Sequence, residues 1–174
     1  NNGTSNGTSN DTSNGTSNNN REAAKWKCKL LPLLLHHPLC NQQISFLLFH
    51  KDVSIREQMA KSLSKVRLIT DFVLALIRSI PDCTPHESDL PVMHGACMFL
   101  GYAILRRTVT VKPFLEDIQE RLKRCLWFDY CKGTFSVGPV VRDAACFVVW
   151  AWAKRQPTIA IPTGILESTL AVAV

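Results

Sequence analysis

Residues 136–149 read SVGPVVRDAACFVV, and residues 52–63 read DVSIREQMAKSL. Each places a β-branched residue directly before an arginine, at Ile55-Arg56 and Val141-Arg142, and an acid directly after it, at Glu57 and Asp143. Between them, DLPVMHGACMFLGYAIL at residues 89–105 opens a third apolar helix with His94 in the arginine's place. The spacings, 38 and 48 residues, average 43, within the range of roughly 40 to 47 of HEAT and armadillo units, each built on a helical pair. A two-helix unit cannot cover its own apolar face, so neighbours stack and share one core. The chain is therefore expected to be all-α: a HEAT/armadillo-type solenoid of about three helical pairs.

Outward from these helices, periods near 3.6 alternate with breaks marked by Pro, Gly or Asp. They place helices over about residues 44–49, 54–66, 69–80, 91–105, 112–127, 139–154 and from 165 onward. Pro91, Pro113 and Pro139 stand at first-turn positions, where a missing N–H costs nothing. The last of the arginine helices carries Ala144, Ala145, Phe147, Val148, Ala151 and Trp152 nearly all round, as an inner helix packed on several sides requires. Residues 1–20 repeat Asn-Gly-Thr-Ser without one apolar side chain and are expected to form a disordered tail. The repeat segment is then residues 21–174, with a final helix that lacks its partner, as in a truncated array.

All twenty Lys and Arg lie from Arg21 onward with thirteen of the fourteen acids, so the repeat segment is the basic part of a chain of net charge +6. Arg78 and the run from Arg121 to Arg124 follow apolar stretches, where cations suit the negative end of a helix dipole. No basic motif interleaved with aromatics suggests nucleic acid. Seven cysteines without a Cys-x-x-Cys pair fit neither a disulfide framework nor a zinc finger and point to the reducing cytosol. No apolar run looks both long and clean enough to span a bilayer, and residues 92–105 have the length of a buried core helix.

In the pairs Arg56-Glu57 and Arg142-Asp143 the arginine is expected to hydrogen-bond from its helix start across to the turn of a neighbouring unit, or else to contact a partner. His94 and Cys97, three apart on one helix face, could form half a metal or thiol site, but no second ligand pair stands at comparable spacing. His36, His37 and Cys40 have the same defect. Gly133 and Gly138 give the glycines of a phosphate loop without its Lys and Ser/Thr. Trp150 and Trp152 point to different faces of one helix, so at least one packs inside. No nucleophile, base and oxyanion site assemble, and an enzyme built on Cys97 or Cys131 is not expected. Neither is a cofactor or a metal.

A narrower likeness rests on HGAC at residues 94–97, the pair Arg106-Arg107, FDYCKGTFSVG at residues 128–138 and VRDAACFVVWAWAKR at residues 141–155. In order and spacing these resemble the tubulin-folding cofactor D family, with Met93, Val140 and Val149 departing from its usual Trp, Asn and Cys. The resemblance implies a tubulin-folding chaperone segment that binds β-tubulin non-covalently during assembly of the αβ heterodimer. It also implies work with cofactors C and E and a small Arf-like GTPase, stimulation of GTP hydrolysis by tubulin, and a cytoplasmic, cytoskeleton-associated setting. Asp52, Arg56, His94, Arg106, Arg107, Arg142 and Asp143 are then the residues expected to join units or touch partners. The alternative is a generic HEAT-repeat scaffold for another protein.

Overall fold

Alternation of helix and break becomes two stacked rows of helices. A computed structural model of the chain describes residues 12–34, 38–68, 70–82 and 86–173. Eight α-helices run through the described residues: α1 Thr12–Leu30, α2 Pro38–Leu48, α3 Val53–Leu63, α4 Thr70–Arg78, α5 Leu90–Leu105, α6 Leu115–Leu126, α7 Pro139–Arg155 and α8 Thr163–Ala173. Side by side, α1, α3, α5 and α7 form one row, while α4, α6 and α8 form the other. Across the rows, α2 pairs with α3 and α6 pairs with α7.

The row beginning with α1 extends the three arginine-type helices by one. Residues 21–30 carry the helix formers Ala23, Ala24 and Lys25, and Cys28 is fully buried. The Gln58 amide also donates to the Lys25 carbonyl at 3.3 Å, fastening α1 to α3. The helix reaches back to Thr12, so residues 12–20 of the expected tail stand in it, with Asn19 and Asn20 exposed. Residues 1–11 lie outside the described residues.

Position in the stack decides which helices need an amphipathic pattern. Flanked by neighbours in its row, α5 buries Met93, His94, Ala96, Cys97, Phe99, Leu100, Ala103 and Ile104, so apolar residues occur around most of its circumference. The stretch Glu87–Leu105 is long and apolar enough to cross a membrane, which corrects the reading that no run is. Its helical part packs tightly between α3 and α7. By contrast α6, exposed along one side, buries only Ile118, Leu122, Cys125 and Leu126.

Two local features set the spacing between helices. Gly95 lies where a Cβ would collide with the Leu48 carbonyl, so its bare backbone lets α5 close on the end of α2. The connection from α6 to α7 folds into a short hairpin, Cys131–Lys132 against Phe135–Ser136, turned at Gly133 with φ +63°. There a glycine carries the left-handed conformation without cost.

Replacing Gly95 with Ala should destabilise the fold. Alanine gains about 1 kcal/mol of helix propensity, but overpacking against an immovable carbonyl costs roughly 1 to 3 kcal/mol. A thermal melt should show a lower midpoint, and an unchanged or higher one would contradict the α2–α5 approach.

Candidate protein-interaction face

The start of α3 is built around two side chains. Asp52 caps the helix, its Oδ1 accepting from the Ser54 N–H at 2.8 Å, while Oδ2 lies 3.1 Å from Arg21 Nε on α1. Arg56, four residues on, is 1% exposed. Its Nη1 donates to the carbonyls of His50 at 2.7 Å and Lys51 at 3.0 Å, and its Nε donates to His94 Nδ1 at 3.0 Å. Nη2 is buried without a partner among the described residues.

A guanidinium keeps its proton in a protein, so Arg56 holds a buried charge and His94 meets it as a neutral ring. Burial, aided by the Arg56 charge, pulls the His94 pKa down to about 4. Burial also pulls Arg56 below its ordinary value, against the opposing pull of Asp52 and Glu57. The histidine in the middle unit thereby has a physical reason. A second arginine there would set like charges together in a medium of low dielectric, whereas imidazole offers a lone pair.

Arg142 behaves differently. Its Nη1 donates to the Phe128 carbonyl at 3.0 Å and lies 3.6 Å from Asp129 Oδ1. Both belong to the connection leading into its own helix, which corrects the expectation that this arginine reaches across a unit boundary. The hairpin connection is long enough to fold back over the start of α7 and present that carbonyl. Asp143 stays exposed on α7.

The paired arginines also divide their work. Arg106 donates from Nη1 to the Lys61 carbonyl at 2.6 Å and to Ser64 Oγ, while Thr108 Oγ1 donates to the Ser64 carbonyl at 3.0 Å. The C-terminal ends of α3 and α5 are latched, with a cation at the negative end of the α3 dipole. Arg107 is exposed at φ 60°. Thr108 N donates to Ala103 O and Arg107 N to Ile104 O, both at 3.0 Å, which is a Schellman cap with arginine where glycine is usual.

Sequence reasoning missed Gln156, which performs the equivalent latch after α7. Its Nε2 donates to the Val109 carbonyl at 2.9 Å and its Oε1 accepts from the Val111 N–H at 2.8 Å. A single amide after a helix carries no motif, so nothing in the sequence marked it. In the other row, Arg78 pairs with Asp117 at 3.0 Å and Arg124 with Glu120 at 2.7 Å and with Asp82. These cations bind acids of the neighbouring helix, of the same helix or, at Asp82, of the chain just after α4, instead of merely facing a dipole.

On the α3–α5–α7 face, Tyr102 meets Phe147 edge-on at 5.0 Å, and Phe147 stacks on Trp150 at 5.9 Å. Trp150 is 48% exposed beneath Lys154, whereas Trp152 is fully buried and donates to the Ile159 carbonyl at 2.9 Å. Cys97 is fully buried. Its neighbour Cys125 has its thiol pKa raised by a hydrogen bond with Cys97 and by burial. His36 and His37 lie outside the described residues. The face presents aromatic surface and charges with no exposed thiol beside His94, an arrangement suited to docking a protein surface.

His94 should make the fold acid-sensitive. Its folded pKa lies below the unfolded value near 6.5, so the stability it permits is complete above pH 6.5 and drains away as pH falls toward 4. Between pH 7 and pH 5 the wild type should lose about 2 kcal/mol relative to His94→Gln. Denaturant melts of the two proteins across this range test it, and parallel curves would refute it. Arg142→Ala should cost only about 1 kcal/mol, since its partners are a half-exposed acid and one carbonyl; a loss of several kcal/mol in the same melts would contradict that local role.

Comparison with known proteins places this arrangement. The family model described as "Tubulin-specific chaperone D-like, ARM repeats" matches residues 2–162. The chain is 37% identical over 68 residues to a protein of Dictyostelium discoideum named tubulin-specific chaperone D, an alignment covering 39% of this chain and 4% of that relative. No solved structure matches. With the family model spanning nearly all of the described helices, the chain belongs to the tubulin-specific chaperone D-like family of ARM-repeat proteins.

Proposed function

We propose that this chain is a tubulin-binding segment of a cytoplasmic tubulin-folding chaperone, capturing β-tubulin without covalent chemistry while the αβ heterodimer is assembled. The observation that carries the reading is the family match over residues 2–162. Within a longer protein, the segment would act with cofactors C and E and a small Arf-like GTPase and contribute to stimulating GTP hydrolysis by tubulin. Those finer roles rest on the resemblance.

The structure supports a docking role in two ways. The row formed by α3, α5 and α7 carries Tyr102, Phe147 and the half-exposed Trp150 with Lys61, Arg106 and Lys154 over the rings, a composition found at protein interfaces. The α8 face carries Leu166 and Leu170, exposed to 42% and 68%, which a further helical unit would cover. Asp52, Arg56, His94 and Arg106 are assigned to joining helices of the stack, and Asp143 is left for a partner.

This chain alone should retain little tubulin, because Leu166 and Leu170 favour self-association over specific docking. A longer chain of the same protein carrying further units should retain β-tubulin in a salt-sensitive way, since exposed charge is screened over about 8 to 10 Å at ordinary ionic strength. Pull-downs against purified tubulin and an unrelated acidic protein at low and moderate salt decide it. Equal retention of both would leave only nonspecific charge attraction.

A further inference from the structure

The C-terminal ends of α3, α5 and α7 lie side by side along one edge of the row, held by the latches from Arg106 to α3 and from Gln156 to the chain leaving α5. Around that edge, residues 58–70, 101–115 and 144–166 contain no Asp or Glu. They do contain Lys65 and Arg67 just beyond α3, Arg107 and Lys112 beyond α5, and Arg155 at the end of α7, all exposed. Lys61, Arg106 and Lys154 stand on the same edge but already lie over rings. Among the described residues, those five cations lie within ion-pair distance of no carboxylate. The second row differs, since Arg78, Arg121 and Arg124 there each meet Asp82, Asp117 or Glu120. Acids of the first row stand at the other ends of its helices, with Asp52 at the start of α3, Asp89 before α5 and Asp143 early in α7.

Helix dipoles do not account for this charge. Their attraction fades beyond the last turn, and Arg67 and Lys112 stand past it. The carbonyls at the helix ends are also occupied, those of Lys61 and Ser64 by Arg106 and Thr108 and that of Trp152 by the Gln156 N–H. The five cations therefore face outward, where neighbouring like charges add their fields. Between the ends of α5 and α7 the edge opens into a groove of about 380 Å³. Arg107 and Arg155 both line it, together with Val109, Pro157 and Ile159, and no carboxylate does. Arg107 adopts φ 60°, a cap position where glycine is usual. The chain thus keeps a guanidinium on the groove wall where a residue without a side chain would fit with less strain.

We propose that this edge receives an extended, carboxylate-rich segment of the partner polypeptide. Its acids meet Lys65, Arg67, Arg107, Lys112 and Arg155, and an apolar side chain between them enters the groove. Packed helices stand roughly 8 to 10 Å apart, so three helix ends span about 20 Å, the reach of about six extended residues at roughly 3.3 Å each. A strand of nucleic acid takes aromatic platforms along its path, whereas this groove is lined by aliphatic and polar side chains without an aromatic ring. The inference rests on the reading that the chain docks a protein, and it adds the edge that is used and the chemistry of the docked segment.

The probes are the synthetic peptide Glu-Gly-Glu-Leu-Glu-Gly-Glu-amide, carrying a neutral dye at its N-terminus, and the same peptide with Gln for every Glu. Binding to the 174-residue chain is read by fluorescence anisotropy. The acidic peptide should bind about tenfold more tightly than the Gln peptide, and the triple variant Lys65→Gln, Arg107→Gln and Arg155→Gln should lose most of that margin. A control variant, Lys27→Gln, Lys29→Gln and Lys51→Gln, removes the same charge from exposed sites elsewhere and should keep it. Equal loss in both variants, or equal binding of the two peptides, would overturn the proposal. A single-stranded RNA of the same charge that bound more tightly than the acidic peptide would overturn the assignment to a polypeptide. The substituted side chains are exposed, so the melting midpoint should not change. Should the triple variant melt lower, the pair Lys65→Gln with Arg155→Gln leaves the Arg107 cap alone and must still lose about threefold, or the proposal falls. A parallel tubulin pull-down with a longer chain separates the two readings. Tubulin retained equally by wild type and triple variant overturns the edge alone, while peptide discrimination without tubulin retention overturns the tubulin reading alone.

Discussion

The buried guanidinium of Arg56 is the constraint around which the first half of the stack is arranged. Removing such a group from water costs several kcal/mol unless its donors find acceptors, and no carboxylate lies within ion-pairing distance of it among the described residues. The acceptors are the two carbonyls at the α2–α3 turn and the ring of His94. Those carbonyls must therefore point inward, the turn must close on the start of α3, and α5 must approach with a neutral histidine at its second turn. Gly95, next in sequence, allows that approach by leaving no Cβ against Leu48. One charge thus fixes the relation of α2, α3 and α5, and it keeps His94 from titrating in the physiological range.

The opposite ends of the same helices are fastened by other means. Arg106 and Thr108 bind the end of α3, and Gln156 binds the chain that leaves α5. Each latch gives a helix-end or loop carbonyl the partner that it lacks within its own helix. The second row is joined by ion pairs from α4 to α6 and by the Trp127 indole, which donates to Ser168 at 3.0 Å and so links α6 to α8. The seam between α3 and α5 is consequently tied at both ends and that between α5 and α7 beyond their C-terminal ends, with the rings of Tyr102, Phe147 and Trp150 lying along the face of the row.

The fold was largely legible because stacking imposes a period. Helices that share neighbours on both sides must be apolar nearly all round, and this is visible in residues 90–105 and 139–155 without any structure. The first helix was not legible at all, the pattern placing none before residue 44: Asn, Ser, Thr and Gly carry neither strong helix propensity nor an apolar face, and from Arg21 to Leu30 charged residues interleave with the apolar ones. Of the candidate residues, Asp52, Arg56, His94 and Arg106 lie at junctions between helices, whereas Arg107 serves a backbone cap and Arg142 its own connection. Helix position alone fixes where a side chain starts, but a long side chain can turn to either of two neighbours.

By itself, then, the sequence determined the all-α class, the repeat of about 43 residues and the residues that open each inner helix, because these follow from periodicity and local helix chemistry. It also carried the family likeness, through short motifs whose order survives substitution. Only the tertiary structure decided that His94 accepts from Arg56, that Gln156 clamps a loop 45 residues away, and that Arg107 and Arg155 line one groove. The physical reason is that hydrogen-bond partners and groove walls depend on the distance between elements remote in sequence. That distance is set by packing, here by two glycines and a buried charge, and not by any local preference of the chain.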